Sequence, residues 1–495
     1  MKTIILKYKK LSVVAIFLVV WACNSDLVEM NLNPNAITKI DDKFLFTSAV
    51  ASTLDSKSGT FDLRMGSQYA YIYVSPSLGR DADKYTDFNQ LVYNTTMSDL
   101  YTGPLKLINE IILILDEKGP DAVTNVKLSM VNILAVCNYI KLTDLYGSVP
   151  YTEGAWARKN ILYPKYDTQE YIYHDMMDKL KESITVLKSA NPKDGYPGYD
   201  PLYQNDLTKW VRFANSLRLR LAMRARFVDP NNSKTVISEC LAENLIEENS
   251  QNALRGFTNG DIQELNNPWY NLYITKEKWK MSELFVNQLK STNDPRLSIF
   301  VKPNSSGGYQ GIKNGLGDLD NGNAFTQIQY CSPSENLYAK DLPAYFMCAD
   351  EVYFLRAEAA LFQLGSGDAN QLYQAGIRKS METWKVPEAQ ISTFLASPEA
   401  QLSGLNEDNF RKICTQQWIG LVPNFTECYS NMRRTDYPTI GQRTGTLEKG
   451  VTDGYLPKRL LYGTDEFNSN NANVTAAVAE QGPNRITTPL WWDVK

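Results

Sequence analysis

A single histidine, His174, bounds the chemistry open to this 495-residue chain. One imidazole cannot build a His-rich zinc site, and any histidine-dependent triad would have to use this residue. It lies in Tyr171-Ile-Tyr-His-Asp-Met-Met177, inside a helical pattern where a place on the helix surface is the simpler reading. The six cysteines after Cys23 form no Cys-x-x-Cys and match no metal-finger spacing. Most fall in apolar helical stretches, where a free thiol packs as a small hydrophobe. Asp318-Leu-Asp-Asn-Gly-Asn323 has the look of a calcium loop, but its glycine comes one position early and its twelfth position is Gln329. A polar turn is the better reading. No Gly-x-Ser-x-Gly, phosphate loop or dinucleotide fingerprint occurs. A glycosidase needs two carboxylates roughly 5–10 Å apart, and no motif nominates such a pair among the 55 acids. The sequence therefore assigns no catalytic residue, no metal and no cofactor.

The surplus is aromatic: 29 Tyr, 18 Phe and 9 Trp. Exposed rings on loops can cover the apolar face of a ligand, while Asn, Asp, Arg and backbone groups bond its polar edges. Rings outside helical periodicity are thus the candidate ligand contacts. Tyr69, Tyr71 and Tyr73 would share one side of an extended segment, followed by Arg80 and Asp81 on a turn. Asn266-Asn-Pro-Trp-Tyr-Asn-Leu-Tyr273 offers Trp269, the best single ring, and Tyr270. Ser305-Ser-Gly-Gly-Tyr309, with the Gly/Asn/Asp-rich 313–323, is the third candidate. The competing reading for each ring is packing against a neighbouring helix. Trp210, Trp384, Trp418 and Trp491 are expected to be structural.

The elements that must position these loops are helical. Periodicity of three to four residues predicts helices over 98–117, 122–146, 168–189, 206–228, 233–246, 280–292, 344–364, 368–385 and 407–434. Residues 122–146 are apolar on more than one side and should be central. Strand signals are confined to 69–74 and 325–331. Long connections at 147–167, 190–205, 250–279, 302–343 and 436–490 are the kind that carry function. Paired helices of this length suggest a tetratricopeptide-like stack, although no clean 34-residue repeat is present.

The N-terminus reads as an address. Lys2, Lys7, Lys9 and Lys10 precede the uncharged run 11–22, short for a membrane span and apt for a signal peptide. Cys23 closes that run as in a bacterial lipobox, which would place several acyl chains on the mature N-terminus and anchor it stably. A retained transmembrane anchor or cleavage elsewhere are the alternatives. Removing residues 1–22 takes four lysines and no acid, so the formal charge falls from −4 to −8. Without a basic block, nucleic acid is not an expected partner.

The ordered motifs carry a resemblance. They run from Cys23 and Asn31-Leu-Asn-Pro-Asn-Ala36 through Leu145-Tyr-Gly-Ser-Val-Pro-Tyr-Thr-Glu153 and Ala214-Asn-Ser-Leu-Arg-Leu-Arg-Leu-Ala-Met-Arg224. Asn293-Asp-Pro-Arg-Leu297 and Glu351-Val-Tyr-Phe-Leu-Arg-Ala-Glu-Ala-Ala360 follow. The C-terminal set comprises Gln417-Trp-Ile-Gly-Leu421, Asn431-Met-Arg-Arg-Thr-Asp-Tyr-Pro438, Leu456-Pro-Lys-Arg-Leu-Leu-Tyr462 and Trp491-Trp-Asp493. Together they resemble the SusD/RagB family of outer-membrane nutrient-binding lipoproteins, in its second SusD-like branch. The resemblance implies a mainly α fold: a tetratricopeptide-like scaffold of helical pairs with long decorating loops and few short strands. It implies a signal peptide over 1–22 and a single SusD-like domain over 23–495, anchored through Cys23 and exposed at the cell surface.

The implied role is to bind an oligosaccharide, or a peptide or other small nutrient, and deliver it as a lid to a SusC-like TonB-dependent transporter without acting as an enzyme. A helical glycoside hydrolase and a lipidated scaffold in envelope assembly stay open beside it. The matched motifs themselves read as structural. Arg218, Arg220 and Arg224 on one helix should pair with buried carboxylates, with Glu351 and Glu358 as candidate partners, and Arg433, Arg434 and Arg459 look similar in kind.

Overall fold

The computed structural model describes residues 40–54, 61–74, 80–86, 90–262, 265–270, 279–315, 329–445 and 449–495. Cys23, the Asn31–Ala36 motif and the Asp318–Asn323 turn lie outside the described residues. Asp42 to Lys495 form one compact unit.

Chain order begins with α1 (Asp42–Leu54), then a π-helical turn over Asp62–Gly66 and the two-residue strand β1 (Tyr73–Val74). Helix α2 (Gln90–Leu100) runs through a second π turn, Tyr101–Leu105, into α3 (Lys106–Lys118). Pro104 lies in that turn; it lacks an N–H, so the hydrogen-bond register widens there without ending the helix. Next come α4 (Ala122–Tyr146), α5 (Gln169–Ser189), α6 (Leu207–Ala225) and α7 (Pro230–Leu241). Asp121, Thr168 and Asp206 cap α4, α5 and α6 by accepting backbone N–H groups of the first turn. Helix α4 is long and apolar enough to cross a membrane, yet two-thirds of its most apolar stretch is buried in the protein. It is the core helix its composition predicts.

The middle of the chain carries β2 (Ala253–Arg255), β3 (Lys280–Met281), α8 (Glu283–Ser291), β4 (Val301–Lys302), β5 (Ser332–Pro333) and β6 (Ala344–Met347). These strands form three two-stranded antiparallel pairs, β1 with β3, β2 with β6 and β4 with β5. The last part holds α9 (Ala349–Leu361), α10 (Ala369–Thr383), α11 (Glu388–Leu395), α12 (Asn406–Gly420), α13 (Phe425–Thr435), α14 (Thr464–Ser469) and α15 (Asn471–Gln481). Consecutive helices lie side by side: α4 on α5, α5 on α6, α6 on α7, α9 on α10 and α12. The result is a stack of helix pairs of the tetratricopeptide kind with three small strand pairs attached.

Three expected elements divide, the 280–292 helix first, into strand β3 and helix α8. The 344–364 helix is strand β6 followed by α9. The 407–434 helix breaks at Leu421–Asn424, where Pro423 cannot donate and Asn424 caps α13 through Glu427 N–H. The 69–74 segment is not one extended strand. Residues from 325 to 328 lie outside the described residues, and the adjacent strand is β5.

Helices α9 and α10 approach closely because Gly376 has no side chain. A Cβ there would lie 2.7–3.0 Å from the ring of buried Phe354. Gly376→Ala should therefore lower stability by about 1–2 kcal/mol despite alanine's better helix propensity. Urea unfolding of the two proteins measures it; a gain in stability would show that the ring moves aside freely.

The arginine motifs join the stack from inside. Arg220 on α6 grips Glu351 on α9 through two bonds of 2.6 Å. Arg434 on α13 grips Glu358 through bonds of 2.6 and 2.7 Å, and Arg226 adds a third at 2.6 Å. Burial alone would raise the Glu358 carboxyl, but the two guanidiniums outweigh it and hold the group below its ordinary range. Arg224 bonds Glu427 and lies 3.2 Å from Asp144, while Arg218 reaches Glu239 at 2.6 Å. Arg433 differs from the expectation, donating to the carbonyls of Lys458 and Asp144. Arg459 has no carboxylate among the described residues; its guanidinium stacks 4.5 Å over Tyr462.

The C-terminal segment closes over the first helices. Leu460 N–H donates to the Leu145 carbonyl at 2.7 Å, Trp492 Nε1 to Asp144 at 3.0 Å, and Trp491 N–H to Gln169 at 2.9 Å. Gln481 on α15 accepts from Ser148 N–H and donates to the Tyr146 carbonyl. Gly147, at φ 83°, makes this possible: a Cβ there would collide with the Gln481 amide. All six cysteines from Cys137 to Cys428 are free.

Candidate functional site

The three alternating tyrosines do not form a platform. Tyr69 ends a helical turn, Tyr71 takes a left-handed conformation at φ 55°, and Tyr73 enters β1. The kink destroys the two-residue alternation. Tyr69 packs on Tyr429 and Tyr85, and Tyr73 on Phe425 and Trp279; both are buried. This corrects the expected row of sugar-facing rings. Of the three, Tyr71 reaches a cleft.

That cleft is held by a knot of four chain segments around Arg443. Its Nε donates to the Tyr71 hydroxyl at 2.9 Å, and that hydroxyl shares a 2.8 Å bond with Tyr85. The guanidinium stacks 3.8 Å over the Tyr85 ring and donates to the Asp83 carbonyl. The Asp83 carboxylate in turn accepts from Asn314 Nδ2 at 2.9 Å and Gly315 N–H at 2.7 Å. Ser282 Oγ, just before α8, closes the set on Asn314 Oδ1 at 2.6 Å. Burial raises the Tyr71 phenol above its ordinary range, so it remains a neutral hydrogen-bonding group.

The cleft has a volume of about 300 Å³, at the small end of ligand pockets. Tyr71, Arg443 and Gln442 line it opposite Glu283 and Asn287 of α8, with Lys313 beside them. Such amides, cations and one carboxylate bond hydroxyls and acetamides. Glu283 is the one carboxylate among its described lining, whereas glycoside hydrolysis by the usual route needs two.

Trp269 lies elsewhere, in the helical turn 268–270, half buried against the core and in T-shaped contact with Phe425 at 6.3 Å. It borders a second, smaller pocket of about 40 Å³ that also includes Asp62, Lys141, Asn267, Tyr345 and Asn424. Tyr270 is half buried, with Lys340 Nζ 5.3 Å from its ring centre. Tyr309 follows the Asn304–Gly308 turn, and its carbonyl accepts from Lys290 at 2.9 Å. Arg80 and Asp81 open a short helix to Asp83; their side chains lie outside the described residues. Of the candidate rings, the structure thus places Tyr71 at the larger cleft and Trp269 at the smaller pocket, and the other described ones line neither. Sequence reasoning missed Asn287, Gln442, Asp62 and Lys141, whereas Lys313 opens the 313–323 segment of the third candidate. Lys141 left a faint signal, as one of two lysines in a mostly apolar helix.

A family model described as starch-binding associating with outer membrane matches residues 34–463. Among solved structures, a chitin-binding protein shares 25% identity at TM-score 0.80, covering 92% of this chain and 100% of the other. A chitin-binding SusD homologue from Flavobacterium johnsoniae follows at 22% and 0.79, covering 92% and 99%. A SusD homologue from Bacteroides uniformis has 24% and 0.78, covering 92% and 100%. No curated protein is similar enough in sequence to count as a relative.

Proposed function

The chain belongs to the SusD-like family, and on that premise we propose that it binds a nutrient oligosaccharide at the outer membrane and passes it to a SusC-like TonB-dependent transporter. Cys23 carries the lipid anchor, the described unit faces outward, and closure over the transporter traps the glycan. The protein binds and releases, and the transporter supplies the work. The family match over residues 34–463 is the observation that carries this reading. The polar cleft and the half-buried Trp269 supply matching chemistry: hydrogen-bonding groups for hydroxyls, and a ring for an apolar sugar face. Chitin oligosaccharides are the first ligand to try, because a chitin-binding protein is the 25%-identical structural relative.

Isothermal titration of the full-length protein in detergent with chito- and malto-oligosaccharides tests it. A saturable heat is expected. Trp269→Ala and Asn287→Ala should each weaken binding about tenfold, about 1.4 kcal/mol. Absence of heat with every glycan would refute the reading, and undiminished affinity in both variants would move the site elsewhere.

A further inference from the structure

Residues 439–444 form one wall of the larger cleft, across from Glu283, Leu284 and Asn287 of α8. The stretch runs straight, with no helix, turn or bend, and none of its φ angles is positive. It is extended chain, yet it belongs to none of the three strand pairs. Arg443 N–H donates to the Gly454 carbonyl at 3.1 Å. The backbone N–H and C=O groups of Thr439, Ile440, Gly441, Gln442 and Thr444 have no protein partner among the described residues. Successive residues of an extended chain turn these groups to opposite sides. Ile440, Gln442 and Thr444 therefore turn theirs away from Gly454, leaving an unpaired edge of the kind another chain completes. Gly441 is a second sign. Its φ is not positive, and a Cβ there would meet no protein atom within 4 Å. Neither conformation nor packing requires glycine at this position, whereas close approach of a bound backbone does.

The edge dictates the chemistry of its ligand. Each edge residue offers an N–H and a C=O on one side, and its complement is another amino-acid residue, whose N–H and C=O also flank a single Cα. Such a pair makes two bonds at once. The acetamide of a sugar points its N–H and C=O in opposite directions and makes one. Nor does the cleft offer an open ring for stacking: Tyr71, the one aromatic side chain among its described lining, is 7% exposed, with its hydroxyl held by Arg443 and Tyr85. Leu284 and Ile440 supply aliphatic surface instead. The Glu283 carboxylate makes no hydrogen bond or ion pair among the described residues, which leaves it open to an ammonium. We propose that this cleft binds an extended peptide by strand addition along residues 440–444, with the peptide's amino end or a basic side chain at Glu283. The main chain supplies the affinity and alternate side chains the preference. Peptide binding at this edge goes beyond the glycan reading and stands without it.

The test is titration of the full-length protein in detergent with hexapeptides carrying a free amino end, in which valine or threonine alternates with lysine, glutamate, serine or glycine. Saturable heat is expected from this panel. N-methylation of alternate amides along one edge of the best binder should weaken it about tenfold or more, and methylation along the other edge should leave it within about twofold. This comparison needs no protein variant. Gln442→Pro removes one N–H from the protein's edge, and Gln442→Ala removes the side chain alone. With both shown to be folded by their thermal transitions, the first should weaken the peptide about fivefold and the second should stay within about twofold of the wild type. Silence from every peptide overturns the proposal and leaves glycan binding standing. Equal losses from the two methylated edges, or equal affinities of the two Gln442 variants, overturn it as well. Heat from chitotetraose that Gln442→Pro abolishes, with none from any peptide, gives the cleft to the glycan.

Discussion

Replacing Glu358 by glutamine is expected to destabilise the protein by about 3–5 kcal/mol. The carboxylate takes two bonds from Arg434 and one from Arg226, and all three side chains are buried or nearly so. Glutamine keeps the volume, so the loss is not a cavity effect. It leaves two guanidiniums in the same buried space with no counter-charge. The group's pKa is held low in the fold, so its contribution is present above its unfolded value of 4.5. That contribution is lost on acidification through the folded pKa. Urea unfolding should show a lower midpoint with an unchanged slope. Glu388→Gln, at an exposed pair with Arg378, should leave the midpoint where it is. Equal behaviour of the two variants would remove the arginine network from the account of stability.

Asp350→Asn should act in the opposite direction and only at neutral or alkaline pH. Asp350 is buried on α9 without an ion pair among the described residues, and burial lifts its carboxyl from 3.8 to about 7. The folded state therefore keeps a proton that the unfolded state has already released. The contribution of Asp350 to stability must therefore fall as pH rises from about 4 to about 7 and then level off. The full difference is of the order of 4 kcal/mol at pH 8. Asparagine resembles the neutral acid and has nothing to lose. The variant should match the wild type near pH 4 and exceed it by a few kcal/mol at pH 8. Unfolding midpoints of both proteins at the two pH values decide it. Parallel profiles would mean that water or Arg296 solvates the carboxylate better than the packing indicates.

The helical scaffold was legible because burial imposes periodicity. Helix α4 was read at 122–146 and α5 to within a residue, each bounded by a glycine or a side-chain cap. Helix α1 was missed: its pattern, Asp42-Lys-Phe-Leu-Phe-Thr-Ser-Ala-Val, is short and nearly uniform in polarity around the axis. The arginine pairing was legible in kind, since three arginines on an apolar helix must meet acids. The partners were legible only in part. Glu351 met Arg220 as expected, but Glu358 went to Arg434 and Arg226, and Glu427 went to Arg224. Those choices depend on helix rotation, which no local pattern records. The tyrosine row failed for a different reason. Alternation in sequence predicts a shared face only while the backbone stays extended, and Tyr71 turns left-handed to meet Arg443, which lies 372 residues away. The cleft's polar walls come from four such distant segments, so no window of the sequence contained them.

The closure of residues 456–493 over α4 and α5 has a consequence for how the protein comes into being. Ribosomes deliver chains from the N-terminus, and the helices near residue 145 are complete more than 300 residues before their cover is synthesised. For that interval the faces destined for Leu460, Trp491 and Trp492 stand open to water and to other nascent chains. The native state cannot be reached by adding finished helix pairs one after another, as a simple solenoid allows. It waits for the last turn of the chain, so a message truncated shortly before Trp491 should yield not a shorter binder but a client for chaperones and proteases.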